Sequence, residues 1–446
     1  MNGTLAEKKA VVAEVRPDLR AAAGLDRPTR RPTRAAPVAE WLLGAVLVAF
    51  TLASLETVWA GQAAARAAGF AAIALTAMLM GILLLRTANI LSMAWRAAAL
   101  FAVPAAIGLV QLTVTGSEDL AATETRILRC LAAALFCLGA GAVRDGVGRD
   151  RLMDALTALG GLLAILGLAQ DYLPPLAAWW PFPNRNHFAA CCELLLPVAG
   201  WRALQRKQWR TGAAIAIALC GMLSGSRAGL GLLTAEVALL GWWAARSGSA
   251  GPNRVRQGRW VLAGALTIPV LALALGGEAM WHRLRESHPL LYRDQIWASS
   301  WQLITERPWR GHGLGSFQTV YPAVTRFDTG EVVHRAHNDW LEWMVEGGLL
   351  AALPMLILLR TILPRVARIP WSLGVVAVLT HSLVDYPLDR FPLLLLFGLI
   401  ATLALLEGDR DAKGQLHRRT HKKLDEKPFP ESERNSLPRD TVKSEG

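Results

Sequence analysis

The chain has 446 residues, of which 53% are hydrophobic and only 18% charged, and it carries a net charge of +12. A water-soluble protein of this length carries more charge, so composition argues against a soluble globular enzyme. The positive excess fits the basic cytoplasmic side of a membrane protein better than a nucleic-acid-binding surface.

The chain opens on a basic segment, residues 1–36, with Lys8, Lys9, Arg16, Arg20, Arg30, Arg31 and Arg34. That leader is too long for an ordinary secretory signal and predicts a cytoplasmic start followed by an uncleaved anchor. Apolar blocks of about twenty residues, the length of a membrane-crossing helix, follow at 38–58, 67–85, 97–115, 127–143, 152–170, 187–201, 211–225, 228–245, 260–279, 340–360, 371–386 and 391–407. The blocks at 187–201 and 211–225 are short and interrupted. None alternates as a barrel strand would, and lipid offers the backbone no hydrogen-bond partner. The expected fold is therefore all-α: a polytopic membrane helical bundle over 37–407, with about twelve transmembrane helices.

Every second connection is basic: Arg86 and Arg96; Arg144, Arg149 and Arg151; Arg202, Arg206, Lys207 and Arg210; Arg246, Arg254, Arg256 and Arg259; Arg365 and Arg368. The connections between them are poorer in Lys and Arg, and one carries Glu118 and Asp119. This alternation predicts both termini in the cytoplasm. Trp59, Trp95, Trp179, Trp180, Trp201, Trp242, Trp243, Trp260 and Trp371 lie near span ends, where amphipathic rings favour the interface. Cys130, Cys137, Cys191, Cys192 and Cys220 fall inside spans without a CxxC pair, which suggests neither disulfides nor a metal site.

The connection 280–336 is expected to be a large periplasmic loop containing amphipathic helices. In it Trp297, Trp301 and Ile304 follow helical spacing, and Pro308 with Gly311, Gly313 and Gly315 ends that helix in a turn. The "RGHGLGSF" stretch lacks the GxxxxGK[ST] spacing and a preceding strand, so a nucleotide site is rejected. Residues 408–446 mix Lys, Arg, Glu and Ser and are expected to form a disordered cytoplasmic tail.

Five polar stretches are assigned by this topology to the periplasmic face: "PFPNRNHFAA" (181–190), "SGSRAG" (224–229), Tyr292–Asp294, the segment beginning at His337, and "HSLVDYPLDR" (381–390). Their convergence on one surface suggests a site. Each has a plainer explanation. Arg185 and Arg227 fit snorkelling anchors. His381 and Asp385, four apart, fit a pair joining spans. Glu236 in mid-span fits a protonated or interhelically bonded acid, although a proton relay has the same signature. The His334–His337 spacing lacks a third ligand, so no metal is expected.

At "NRNHFA", "SGSRAGL", "RDQIW" through "ERPWRGHGLGSF", "AHNDWLEWMVEGGLL" and "HSLVDYPL", the chain resembles the O-antigen ligase and polymerase family of bacterial envelope glycosyltransferases. The matching stretches span about 180–390, roughly half the chain. The resemblance implies inverting, metal-independent transfer of a glycan from undecaprenyl diphosphate to an acceptor hydroxyl, at the periplasmic face of the cytoplasmic (inner) membrane. The acceptor is lipid A core in ligases or another lipid-linked glycan in polymerases; a pilin oligosaccharyltransferase is a third form. No cofactor or nucleic acid is implied. The family's functional residues map onto Arg227, Arg293 and His337. Asn184, Arg185, Asn186, His187, Asn338, Asp339 and Glu342 are the expected substrate contacts, and the last three are also candidates to orient the imidazole. One departure, Ala351 where the family often has Gly, falls at a helix-packing position. Guanidinium forks suit a departing diphosphate, and a histidine suits the acceptor proton. The rival of another class, a lipid-linked sugar flippase, predicts midplane charges and an internal repeat; only Glu236 fits, and the two halves show no repeat.

Overall fold

The computed structural model describes residues 91–141, 146–172, 184–205, 208–246, 252–276, 292–325 and 332–425, with a few isolated positions outside those ranges. The spans expected at 38–58 and 67–85, the basic leader and the tail beyond 425 lie outside the described residues or almost wholly so. All secondary structure among the described residues is helical. Among the described residues, four helices are long and apolar enough to cross a membrane: Ala94–Thr115, Arg227–Arg246, Val255–Leu275 and Phe391–Gly408. Twelve spans are thus an expectation that these residues meet only in part.

Six helices come first: α1 (Leu91–Val110), α2 (Leu120–Ala140), α3 (Gly146–Tyr172), α4 (Arg185–Ala203), α5 (Gln208–Leu223) and α6 (Arg227–Arg246). They are followed by α7 (Pro252–Leu275), α8 (Arg293–Glu306), α9 (Asp339–Gly347), α10 (Leu349–Ile362), α11 (Leu373–His381) and α12 (Phe391–Asp425). Helix α4 is the hub, packed by α3, α5, α6, α11 and α12. Its small residues permit close approach, because lipid-embedded helices associate through packing and not through hydrophobic exclusion. A Cβ on Gly229 would lie 2.5 Å from that of Ala189, and one on Gly374 would lie 2.5 Å from the Glu193 carbonyl oxygen.

Two expected spans are corrected. The block 340–360 is not one helix: α9 ends at Gly347, Gly348 has φ +71°, and α10 starts afresh. The Leu349 amide then donates to the Pro308 carbonyl at 2.8 Å, which docks the loop into the break. The block 371–386 holds a shorter apolar helix, Pro370–His381, made of a 3-10 turn and α11, and residues 382–390 form turns that supply partners to other elements. At the tail, α12 runs on to Asp425 where disorder was expected from Gly408. No proline interrupts residues 393–425, and extending a formed helix avoids the cost of nucleation.

The large loop folds onto α9. Ile296, Leu303, Ile304, Phe317, Tyr321 and Val345 share a small buried cluster. Buried Ile296, Ser300, Leu303 and Ile304 form the inner stripe of α8, whereas Trp301 is exposed, so the expected tryptophan stripe is rotated. Gly311, Gly313 and Gly315 all have positive φ. Their loop caps the end of α9: His312 and Gly313 donate to the Val345 and Glu346 carbonyls at 3.0 and 2.9 Å. Those carbonyls belong to the last helical turn, which has no partners of its own.

Candidate active site

The turn that follows α11 organises the polar end of the bundle. Below it, His381 Nδ1 lies 2.8 Å from Glu193 Oε1, with both residues fully buried. His381 therefore pairs with α4 and not with Asp385, which corrects the expected pair. Asp339 holds the turn from the other side. Its amide donates to the Ser382 and Asp385 carbonyls, and its carboxylate accepts from Ser382 Oγ at 2.9 Å and the Leu388 amide at 3.0 Å. Asn338 caps α9 through the Leu341 amide and donates to the Leu383 carbonyl at 2.8 Å. Asn338 and Asp339 thus direct their polar atoms to protein partners, and they fix the segment that presents His337.

His337 has φ +50°, a left-handed conformation uncommon outside glycine and frequent at functional sites. Its Nδ1 lies 3.5 Å from Asp385 Oδ1, too long for a hydrogen bond and close enough for an ion pair. Neither His337 Nδ1 nor Asp385 Oδ2 has a hydrogen-bond partner among the described residues. Arg293, the first residue of α8, donates through Nη1 to the Val384 carbonyl and places Nη2 4.0 Å from Asp385 Oδ2. Burial alone would raise the Asp385 carboxyl; His337, His187, Arg293 and His381 together hold it well below the usual carboxylate range. Asp385 is therefore a fixed anion between a histidine and an arginine. Tyr292, just before Arg293, is the other non-glycine residue with positive φ among the described residues.

Tyr386 bridges two imidazoles edge to face, with ring centroids 5.0 Å from His337 and 4.8 Å from His187. His187 is buried at the start of α4, behind the Asn184 cap, and its Nδ1 accepts from Arg390 Nε at 3.3 Å. Asn186 is half-buried and Arg185 exposed. Arg227 opens α6 after Gly225, whose φ is +73°. Because α6 packs on α4 through Gly229 and Ala189, Arg227 stands at the same end of the bundle as His187. The structure thus brings His337, Arg293 and His187 into one cluster and puts Arg227 at the neighbouring helix end.

A second network lies beside this cluster. Arg126 contacts Asp389 at 2.6 Å, Glu342 at 3.5 Å and Glu346 at 3.8 Å; Arg335 contacts Glu342 and Asp389, each at 3.0 Å. Burial raises the Glu342 carboxyl above its usual range, against the pull of Arg335. Glu342, expected as a substrate contact, is committed to Arg335, Arg126 and the Ala336 amide. Asp385, Tyr386, Asp389 and Arg390 were missed as site residues although "HSLVDYPLDR" stood out as a motif. Arg126 gave no signal beyond a basic residue at the mouth of an apolar block. Among the described residues no group of three or more His, Cys, Asp or Glu is arranged to hold a metal ion. Glu236 is buried, and neither of its oxygens has a hydrogen-bond partner among the described residues.

Membrane-length helices with a histidine, a carboxylate and arginines gathered at one bundle end define a helical membrane protein with a polar site at the edge of its apolar region. Residues 212–356 match the family model of the O-antigen ligases, a stretch that contains Arg227, Arg293 and His337 and stops short of Asp385. This match supports assignment to the O-antigen ligase family. No curated protein matches the chain.

Proposed function

We propose that the protein is a glycosyltransferase of the inner membrane that moves a glycan from undecaprenyl diphosphate to an acceptor hydroxyl at the periplasmic face, with inversion and without a metal. His337, held against Asp385 and beside Arg293, is the observation that carries this reading. The acceptor oxygen attacks the anomeric carbon, the bond from that carbon to the diphosphate oxygen breaks, and its electron pair leaves with the diphosphate. His337 takes the hydroxyl proton, and Asp385 stabilises the resulting imidazolium. Arg227 and Arg293 hold the diphosphate as its charge grows. Asn338, Asp339 and Glu342 fix the backbone that aims the imidazole; Asn184, Arg185 and Asn186 contribute at the rim, with His187 buried behind them. Lipid A core is the acceptor in the ligase reading. A lipid-linked glycan as acceptor gives a polymerase with the same chemistry.

The anomeric configuration of the product tests this scheme. Purified protein should form glycoside in EDTA, and NMR should show the configuration opposite to that of the donor. Retention of configuration would rule out a single in-line displacement, and loss of activity in EDTA restored by one divalent ion would rule out arginines as sufficient.

A further inference from the structure

We propose that Arg390, steadied by His187, is a third binding cation for the donor diphosphate, an inference that rests on the transfer reaction above.

In the neighbouring network, Arg126 and Arg335 contact three carboxylates (Glu342, Glu346 and Asp389), and Arg129 adds its charge beside Asp389 by donating to that residue's carbonyl. That group can neutralise itself. In the catalytic cluster, the charge of Arg293 is offset by Asp385. The proposed pair of arginines therefore brings fewer than two net positive charges to a donor diphosphate that carries two negative charges and gains more as the bond breaks. Arg390 adds the missing cation. Its one side-chain hydrogen bond among the described residues is from Nε to His187 Nδ1 at 3.3 Å, and among those residues no carboxylate forms an ion pair with its guanidinium, although the Asp389 carboxylate is near enough to feel its charge. Both terminal nitrogens therefore keep their donor fork for a ligand. The group is half-buried and stands just before α12, two rings from His337 through His187 and Tyr386.

The second observation is His187 itself. Nδ1 accepts the Arg390 N–H, so in the neutral ring Nε2 carries the proton. That Nε2 is buried and has no hydrogen-bond partner among the described residues. An orphaned buried donor beside an unpaired guanidinium is costly unless an acceptor joins them. A phosphate oxygen supplies one.

The test uses the full-length protein in nanodiscs of zwitterionic lipid, with inorganic pyrophosphate as the probe. Pyrophosphate should inhibit transfer competitively with the donor. Arg390→Gln should weaken that inhibition about 10- to 100-fold, the scale of a lost hydrogen bond to a charged group. Arg390→Lys should recover part of it, and Arg307→Gln, which removes the half-buried partner of Glu118, should leave it unchanged. Recovery by lysine also separates a binding role from a folding defect in the glutamine variant. Unaltered pyrophosphate inhibition in Arg390→Gln would overturn the proposal while leaving the transfer reaction intact. So would an effect of Arg390→Gln that appears only in nanodiscs containing anionic phospholipid, since Arg390 would then serve a lipid headgroup. Absence of transfer by wild-type protein would instead sink the underlying function, and direct pyrophosphate binding to wild type and Arg390→Gln would still judge the arginine.

Discussion

At the residue scale, the polar groups divide by what they touch. His337, Asp385 and Arg293 form an open cluster with long contacts, whereas Asn338, Asp339 and Glu342 are consumed by protein partners. If Arg227 and Arg293 hold a diphosphate, their Lys variants should fail with their Ala variants, because lysine keeps the charge and loses the fork. Losing such a donor slows a reaction by about 10²–10³-fold, readable as glycan transfer in a complemented null strain with protein level checked by blot. Full transfer by both Lys variants would show that charge alone matters. The Asp385 carboxyl also gives a pH prediction. Its pKa is depressed in the folded protein, so it adds stability that is present above its unfolded pKa, about 4, and is lost as pH falls below that. Thermal unfolding in detergent should show wild type more stable than Asp385→Asn at pH 7, with the gap shrinking below about pH 4. A gap independent of pH would mean that the charge of Asp385 contributes nothing. Motif residues such as His337 and Arg227 were legible in sequence because polar groups stand out in an apolar chain. The pairing of His381 with Glu193 was not, since i,i+4 spacing pointed to Asp385 and a partner 188 residues away leaves no local trace.

At the element scale, the outer loop and α9 form one unit. The loop glycines stop the chain and let backbone meet backbone: a Cβ on Gly311 would lie 2.2 Å from the Glu346 carbonyl oxygen, and φ there is +61°. Gly311→Ala should therefore strain the turn, at about 1–3 kcal/mol for the backbone conformation alone, and loosen the loop from α9. Limited proteolysis should then cut near 311–316 faster than in wild type. Gly231→Ala, on α6 with nothing within 4 Å of its added Cβ, should be cleaved like wild type. Equal cleavage of both variants would show that the loop does not depend on this approach. The helix in the loop and the turn after Pro308 could be read from spacing and from glycine chemistry. The break at Gly348 could not, because apolar residues run on both sides of it and hydropathy reports composition without φ.

At the scale of the whole molecule, opposite ends of the bundle carry different charge networks. The site end holds the histidine–arginine cluster; at the far end of α4, Arg202 pairs with Asp150 and Asp154, each at 2.9 Å. The alternation of basic connections leads us to propose that the far end faces the cytoplasm. Reporter fusions at Gly315 and Gly408 should then report opposite sides, and the same side for both would break that orientation. Polar stretches from 181 to 390 were expected to converge, and most of the described ones do so because α4, α6 and α11 pack together and Arg293 and Asp339 tie α8 and α9 to the turn after α11. The Arg126–Asp389 pair, 263 residues apart, needed the fold to be seen. The central claim is that this end of the bundle transfers a glycan from a lipid diphosphate with His337 as base, and it is tested by single-turnover transfer with purified wild type and His337→Ala. Wild type should release one undecaprenyl diphosphate for each glycoside formed. His337→Ala should be slowed about 10²–10⁴-fold, the usual contribution of a positioned base, while binding the donor as tightly. A His337→Ala rate equal to wild type would contradict the claim.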